Sequence, residues 1–267
     1  MHISKAWIAS LGLAFTHGAV LMAIFVLSML SDFEDQLYDN LLVSVTTPDM
    51  TQQEMALSVL HATHQLLEPR HQQFQLASYD SVVDRMLRSS DTQLIDAKGN
   101  CGSYTHVLAR LLQRAGIVVR IAQMKCGDVW GCHILLEAKI DGRFVSLDAL
   151  YDLAFIKSNG QLASFSEVSQ NWEHYQKQAP DDYKNLYAYE DVRYTNWNKV
   201  PILMPMAKQI LGVFLGEKIE TVSVRSLVLN VYKTYMVALL VLYVLLFGFT
   251  AYLIMKRQYR RRLMPSA

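Results

Sequence analysis

Two uncharged stretches, one near each end of the chain, restrict its folding more than any other feature. Residues 7–30 (WIASLGLAFTHGAVLMAIFVLSML) contain no Asp, Glu, Lys or Arg, and neither do residues 235–255 (YMVALLVLYVLLFGFTAYLIM). A helix needs about 20 apolar residues to cross a bilayer core, so each run is long enough. Aromatic residues such as Trp7 and Tyr235 stand at their ends, where the membrane interface favours them. A cleaved signal peptide is the competing reading of the first run. Its apolar core would exceed the usual length of about 7–15 residues, and no small-x-small cleavage site precedes Asp32, so an uncleaved anchor is expected. Composition agrees with a chain partly in lipid. Hydrophobic residues make up 52% of the 267 positions and charged residues only 18%, against about a quarter in soluble domains. A net charge of +1 carries no electrostatic footprint of a nucleic-acid partner.

The flanks of the two runs suggest an orientation. Lys256, Arg257, Arg260, Arg261 and Arg262 follow the second run, whereas Lys233 stands nearly alone before it. The excess of basic residues places the C-terminus in the cytoplasm, and two spans return the N-terminus there. Lys5 before the first run and Asp32, Glu34, Asp35 and Asp39 after it agree. The expected division is a cytoplasmic tip with transmembrane helix 1 (1–31), a folded domain (32–160), a Tyr/Trp-rich extension with a juxtamembrane region (161–233), transmembrane helix 2 (234–256) and a basic cytoplasmic tail (257–267). The domain between the spans is expected in the periplasm or outside the cell, with membrane lipid as a partner.

Periodicity organises that domain. Thr51 and Glu54 form a capping-box pattern. It opens a helix with Met55, Val59, Leu60, Leu66 and Leu67 on one face, expected to end at Pro69. A second helix is expected over 80–88, and residues 89–100 are polar and end in Gly99-Asn100, a turn signal. Cys101 to Arg114 reads as an amphipathic helix with Gly116 as its C-cap. Strands are expected over 117–124, 133–140 and 143–147. Asp141-Gly142 joins the last two as a strong hairpin signal. Helices followed by an antiparallel sheet indicate an α+β domain. Amphipathic helices close to the membrane are expected within 202–232.

Three residues carry the chemistry. Cys101 stands where a loop becomes a helix, and the free N–H groups and dipole of a helix start favour a thiolate and an oxyanion. A small, buried, inert cysteine is the bland alternative, but the Gly-Asn-Cys-Gly setting leaves the sulfur approachable. A two-residue turn at Asp141-Gly142 would pair Ile140 with Arg143. Leu135 would then face Asp148 across the hairpin. His133 shares a face with Leu135, so His133 and Asp148 become diagonal neighbours, about 7–8 Å apart at the backbone. A four-residue loop keeps this register and a three-residue loop breaks it. An imidazole activates a thiol, and a carboxylate holds the imidazole in tautomer and orientation. A buried structural histidine and an aspartate closing a strand are the alternatives at the two positions.

The segment from Gly99 to Arg120 (GNCGSYTHVLARLLQRAGIVVR) resembles the nucleophile-bearing segment of the transglutaminase-like superfamily. The segment from His133 to Tyr151 (HILLEAKIDGRFVSLDALY) resembles that family's His-x-Trp-x-Glu hairpin, which ends in the catalytic Asp. His133, Glu137, Gly142 and Asp148 match by position, and the resemblance covers about residues 55–152. Leu135 replaces the usual Trp, and Phe144 stands where another aromatic, often Trp, is usual. The resemblance implies a papain-like fold, with helices packed on an antiparallel sheet between the two transmembrane helices. It further implies acyl transfer or amide hydrolysis through a thioester on Cys101, with His133 and Asp148 completing the catalytic set. The expected substrate is a protein or peptide, or a component of envelope glycopolymer machinery, and no cofactor or metal is expected. A non-catalytic accessory or scaffold protein of envelope or polysaccharide assembly is the alternative.

Other features admit plainer readings. Cys126 and Cys132 flank a Gly127–Gly131 turn and can form a disulfide outside the cytoplasm, stay as free thiols, or join Cys101 and His133 around zinc. The catalytic pattern explains Cys101 and His133 better than zinc does. His61, His64 and His71 suit a solvated helix face more than a metal site. His17, inside the first run, suits either a functional group or helix packing. The aromatics at 172–197 suit either a ligand-binding wall or the core.

Overall fold

The computed structural model describes residues 5–74 and 88–263. They divide into a unit built from the two ends of the chain, up to Phe33 and from Asn230, and a unit of Glu34–Leu229 between them. The elements are α1 (Lys5–Val45), α2 (Gln52–Phe74), α3 (Ser90–Asp96), α4 (Cys101–Arg114), β1 (Val119–Cys126), β2 (Val129–Ile140), β3 (Arg143–Leu147), α5 (Phe165–Gln170), α6 (Trp172–Tyr175), α7 (Asp181–Leu186), β4 (Asp191–Arg193), α8 (Leu203–Leu215), α9 (Val224–Leu227) and α10 (Val231–Leu263).

In the terminal unit, α1 and α10 are long and apolar enough to cross a membrane, which fits a two-pass membrane protein. Two pairs of polar side chains meet within this unit. His17 Nε2 lies 3.0 Å from Thr250 Oγ1, and its ring meets Tyr243 edge-on. The Asn230 amide donates to Ser31 Oγ at 3.0 Å. Paired polar groups of this kind hold helices together where lipid offers no hydrogen bonds.

In the central unit, the last turns of α1 carry Tyr38 into the core. Acidic residues expected only as charge after the first run are ion-paired there. The Arg110 guanidinium donates to Glu34 Oε1 at 3.1 Å and to Asp35. Arg114 reaches Asp35 at 3.1 Å and Asp39 at 2.6 Å. Glu34 is fully buried. Burial raises its pKa, and the hydrogen bond and charge of Arg110 oppose that rise.

The capping box at the start of α2 is formed. The Thr51 N–H donates to Glu54 Oε2 at 2.9 Å, and the Glu54 N–H donates to Thr51 Oγ1 at 3.2 Å. The helix does not stop at Pro69 but runs on to Phe74. Proline lacks the one N–H of its own position, and the apolar face of α2, including Val59, Leu60 and Leu67, is already buried against the core. Within the polar residues 89–100, seven form the helix α3, which the sequence pattern does not announce. Seven residues are too few for a helical period to emerge, and it is the burial of Gln93 and Leu94 that holds α3 down. The helix expected over 80–88 lies outside the described residues except for Arg88.

Helix α4 spans the expected residues and buries Val107, Leu108, Leu111 and Leu112. It ends in a Schellman motif around Gly116 at φ 77°. The Gly116 N–H donates to Gln113 O at 3.0 Å, and the Ile117 N–H to Leu112 O at 2.9 Å. The sheet is antiparallel in the order β3-β2-β1-β4. The β2–β3 register is the expected one, with Ile140 opposite Arg143 and Leu136 opposite Leu147. Asp141 and Gly142 both have positive φ, 48° and 83°, as a type I′ turn requires. At the other end of β2, Cys126 and Cys132 form a disulfide across the β1–β2 turn, with Cα atoms 6.1 Å apart.

Side chains alternate across the sheet and feed two apolar clusters. Ile121, Leu136, Ala138 and Leu147 join α2 and α4 in one. Ala122, Met124 and Leu135 join Phe155, Phe165, Tyr175, Tyr183, Tyr189 and Tyr194 in the other. The aromatic stretch therefore forms a layer of core, and its short strand β4, unheralded in the sequence, pairs Met124 with Val192.

The ion-pair cluster yields a stability prediction. Arg110→Ala leaves Glu34 buried without its counter-charge, so unfolding free energy should fall by about 3–5 kcal/mol. The Arg110→Ala/Glu34→Gln double variant should recover part of that loss in urea titrations of the detergent-solubilised protein.

Candidate active site

The loop before α4 presents Cys101 in an unusual backbone setting. Asn100 precedes it at φ 46° and ψ −134°, a conformation that costs a non-glycine residue on the order of 1–3 kcal/mol. The Gly102 N–H turns back to Gly99 O at 2.9 Å, and the Ser103 N–H to Asn100 O at 3.0 Å. The Cys101 N–H has no hydrogen-bond partner among the described residues, which leaves it able to donate to a developing oxyanion. Cys101 is the free cysteine among the described residues, half-buried at the helix start.

His133 stands on β2 and Asp148 just beyond β3. The expected diagonal contact is made: His133 Nε2 hydrogen-bonds Asp148 Oδ2, with both side chains buried. The other Asp148 oxygen accepts the Leu150 N–H at 3.2 Å. Asp148 also pairs in both directions with the Leu153 backbone, at 2.8 and 2.9 Å. Histidines of α2 brace this turn. His64 Nδ1 lies 3.1 Å from Ala149 O, and His61 Nδ1 lies 2.5 Å from Asp152 Oδ2.

Burial alone would lower the His133 pKa. The charge and hydrogen bond of Asp148, followed by the hydrogen bond and charge of Cys101, outweigh it and raise the value to about 10. The ring is thus set up to carry a proton between a carboxylate and a sulfur. Its Nδ1 makes no well-formed hydrogen bond, which leaves that nitrogen to the thiol. A second buried histidine on α4, His106, is the opposite case. Burial, then the charge of Arg225, push its pKa down to about 3, so it stays neutral.

Three tyrosines surround His133, and sequence reasoning did not connect them to it. Tyr187 stacks on the imidazole with ring centroids 4.3 Å apart. Tyr183 and Tyr151 each meet it edge-on at 6.0 Å. Tyr183 is fully buried and its hydroxyl donates to Tyr189 Oη at 3.2 Å. The signal for Tyr183 and Tyr187 is the density of Tyr and Trp at 172–197, which has no period that points at one histidine, while Tyr151 ends the hairpin segment. Behind the hairpin, Arg120 pairs with Glu137 at 2.6 Å and lies between the rings of Phe144 and Tyr194, 3.9 and 4.1 Å from their centroids. Phe144, the departure from the expected motif, thus serves as one face of a cation–π sandwich.

No group of three or more His, Cys, Asp or Glu side chains among the described residues is arranged to hold a metal ion. Cys126 and Cys132 are joined to each other, so they are not arranged with Cys101 as ligands.

Comparison with known proteins gives one match: residues 44–149 fit the family model of the transglutaminase-like superfamily. No curated protein and no solved structure matches the chain. The matched segment runs from the end of α1 to the residue after Asp148 and so contains the helix start, both strands of the hairpin and the buried imidazole–carboxylate pair. The chain therefore carries, between two helices long and apolar enough to cross a membrane, a domain of the transglutaminase-like superfamily, whose plan is that of the papain-like cysteine enzymes.

Proposed function

We propose that this protein is a membrane-anchored cysteine enzyme that performs acyl transfer or amide hydrolysis on an extracytoplasmic substrate. The observation that carries this reading is the buried His133–Asp148 pair beside a free thiol at a helix start. The Cys101 thiolate attacks an amide carbonyl carbon and forms a C–S bond. The Cys101 N–H donates to the oxyanion. The His133 imidazolium protonates the leaving nitrogen as the C–N bond breaks, which leaves a thioester. Water or an amine then attacks the thioester and gives its proton to His133, and the thiolate departs. Asp148 holds the ring and balances its charge throughout, as carboxylates do in such triads.

The Cys126–Cys132 disulfide supports an oxidising compartment for the domain, and the basic run after the second span supports cytoplasmic termini. Alkaline phosphatase fused after Leu227 should be active in intact bacteria, and the same enzyme fused after Leu263 should be inactive. The reverse pattern would overturn the orientation.

Cys101→Ala should abolish turnover of a peptide amide and remove the iodoacetamide-reactive site from the folded protein. His133→Ala should slow turnover by about 10²–10⁴-fold. Full activity of Cys101→Ala would sink the reading.

The raised His133 pKa also predicts a pH dependence of stability. A group whose folded pKa lies above its unfolded value stabilises the fold fully below the unfolded value. The contribution of the ion pair should therefore be complete below about pH 6.5 and fade as pH rises through about 10. The gap in urea midpoint between wild type and Asp148→Asn should narrow over that window. A gap that stays constant from pH 6 to pH 10 would contradict a charged pair.

A further inference from the structure

The amphipathic segment expected within 202–232 is present as α8, and the central unit leaves its apolar face uncovered. No residue of α8 is buried. Leu203, Met206, Ile210, Val213 and Phe214 are exposed, the last two at 83% and 81%. Spacings of three and four residues place these side chains on one stripe, roughly 100° wide. Lys208, partly buried on another side of the helix, pairs with Glu220 of the following 3₁₀ turn (Gly216–Thr221) at 2.6 Å. Among the described residues, exposed large apolar side chains are scattered singly over 34–199. They concentrate in 200–228, where Val200, Ile202 and Leu227 join those of α8. Single exposed apolar residues are ordinary on a protein surface, whereas a contiguous group of them marks an interaction site.

We propose that α8 lies in the plane of the membrane surface with this stripe among the lipid chains, a lipid contact of the central unit in addition to the two spans. The inference rests on the two-span reading and not on the chemistry assigned to Cys101. The central unit is joined at both ends to helices long and apolar enough to cross a membrane. Leu215 stands 16 positions before the start of α10, so the chain itself brings a lipid surface to the domain. The stripe consists of Leu, Met, Ile, Val and Phe and holds none of the Trp, Tyr and Arg that anchor contacts between proteins. Apart from the paired Lys208, the nearby charges stand beyond the ends of α8. Lys199 precedes it and Glu217 and Lys218 follow it, all exposed, as suits groups held at the headgroups while an apolar face is buried. At 13 residues, α8 is shorter than the about 20 needed to cross a hydrocarbon core, so it lies along the membrane rather than through it.

Spin labelling of the full-length protein, reconstituted in vesicles of phosphatidylcholine and phosphatidylglycerol, tests this. A Cys101→Ser background removes the free thiol, and Cys126 and Cys132 are bonded to each other. A nitroxide is then introduced through Met206→Cys, Ile210→Cys or Phe214→Cys, one at a time. Asn185→Cys, exposed on α7, serves as the water reference, and Phe247→Cys, within α10, as the lipid reference. Oxygen concentrates in lipid and a nickel chelate in water, so the ratio of their collision rates with the nitroxide reads its depth. At positions 206, 210 and 214 the oxygen-to-nickel ratio should exceed the Asn185→Cys value and approach the Phe247→Cys value. Ratios at all three positions equal to the water reference would overturn the proposal and leave the two spans intact. Low collision rates with both reagents would also overturn it, because protein, either the chain itself or a second copy, would then cover the stripe. A water-like ratio at Phe247→Cys would remove the span itself, and the proposal with it.

Discussion

The geometry of the candidate site depends on one tight turn. Asp141 and Gly142 both adopt positive φ, which matches the right-handed twist of the flanking strands and sets a two-residue connection. That connection pairs Ile140 with Arg143, and each pair further along the hairpin follows. A slip of one residue would turn every side chain of one strand to the opposite face. His133 and Asp148 would then lie on different sides of the sheet, and Leu147 would leave the core. The turn begins eight positions after His133 in the chain, yet it decides whether the imidazole meets a carboxylate.

A second constraint is the cost of burying charge. His133 and Asp148 are both nearly inaccessible, and isolated ions there would be strongly disfavoured. Their mutual hydrogen bond, the Leu150 N–H on the second carboxylate oxygen, and the thiol on the far side of the ring offset that cost. The layer of Tyr151, Tyr183 and Tyr187 keeps water from the pair, and lower local polarity strengthens the attraction it surrounds. The same logic governs the Glu34–Arg110 pair at the end of α1, where a buried carboxylate is held by a guanidinium from the helix that carries Cys101. Buried pairs of this kind favour one arrangement of the helices over others, because any alternative strands a charge.

Local features of the chain were readable in proportion to how local their causes are. The capping box at Thr51, the amphipathic stripe of α4, the Gly116 cap and the I′ turn each arise within a few residues, and all four are present. Pro69 does not terminate α2 because proline's effect on a helix depends on whether the flanking faces are buried, and here they are. Helix α3 escaped notice because seven polar-rich residues carry no period, and its stability comes from packing Gln93 and Leu94. Strand β4 is three residues long and exists because β1 offers it an edge.

The sequence by itself determined the two apolar spans, the α+β pattern, the hairpin register and the residue types that can do acyl-transfer chemistry, because each follows from composition, periodicity or turn preference over short distances. Tertiary structure decided what surrounds those residues. Only folding brings Tyr187 onto His133 from 54 positions away and Arg225 beside Gly102 from 123 positions away. Only folding joins Glu34 to Arg110. Such contacts reflect which apolar faces find one another in a closed core, and that information is spread over the whole chain rather than written in any one segment.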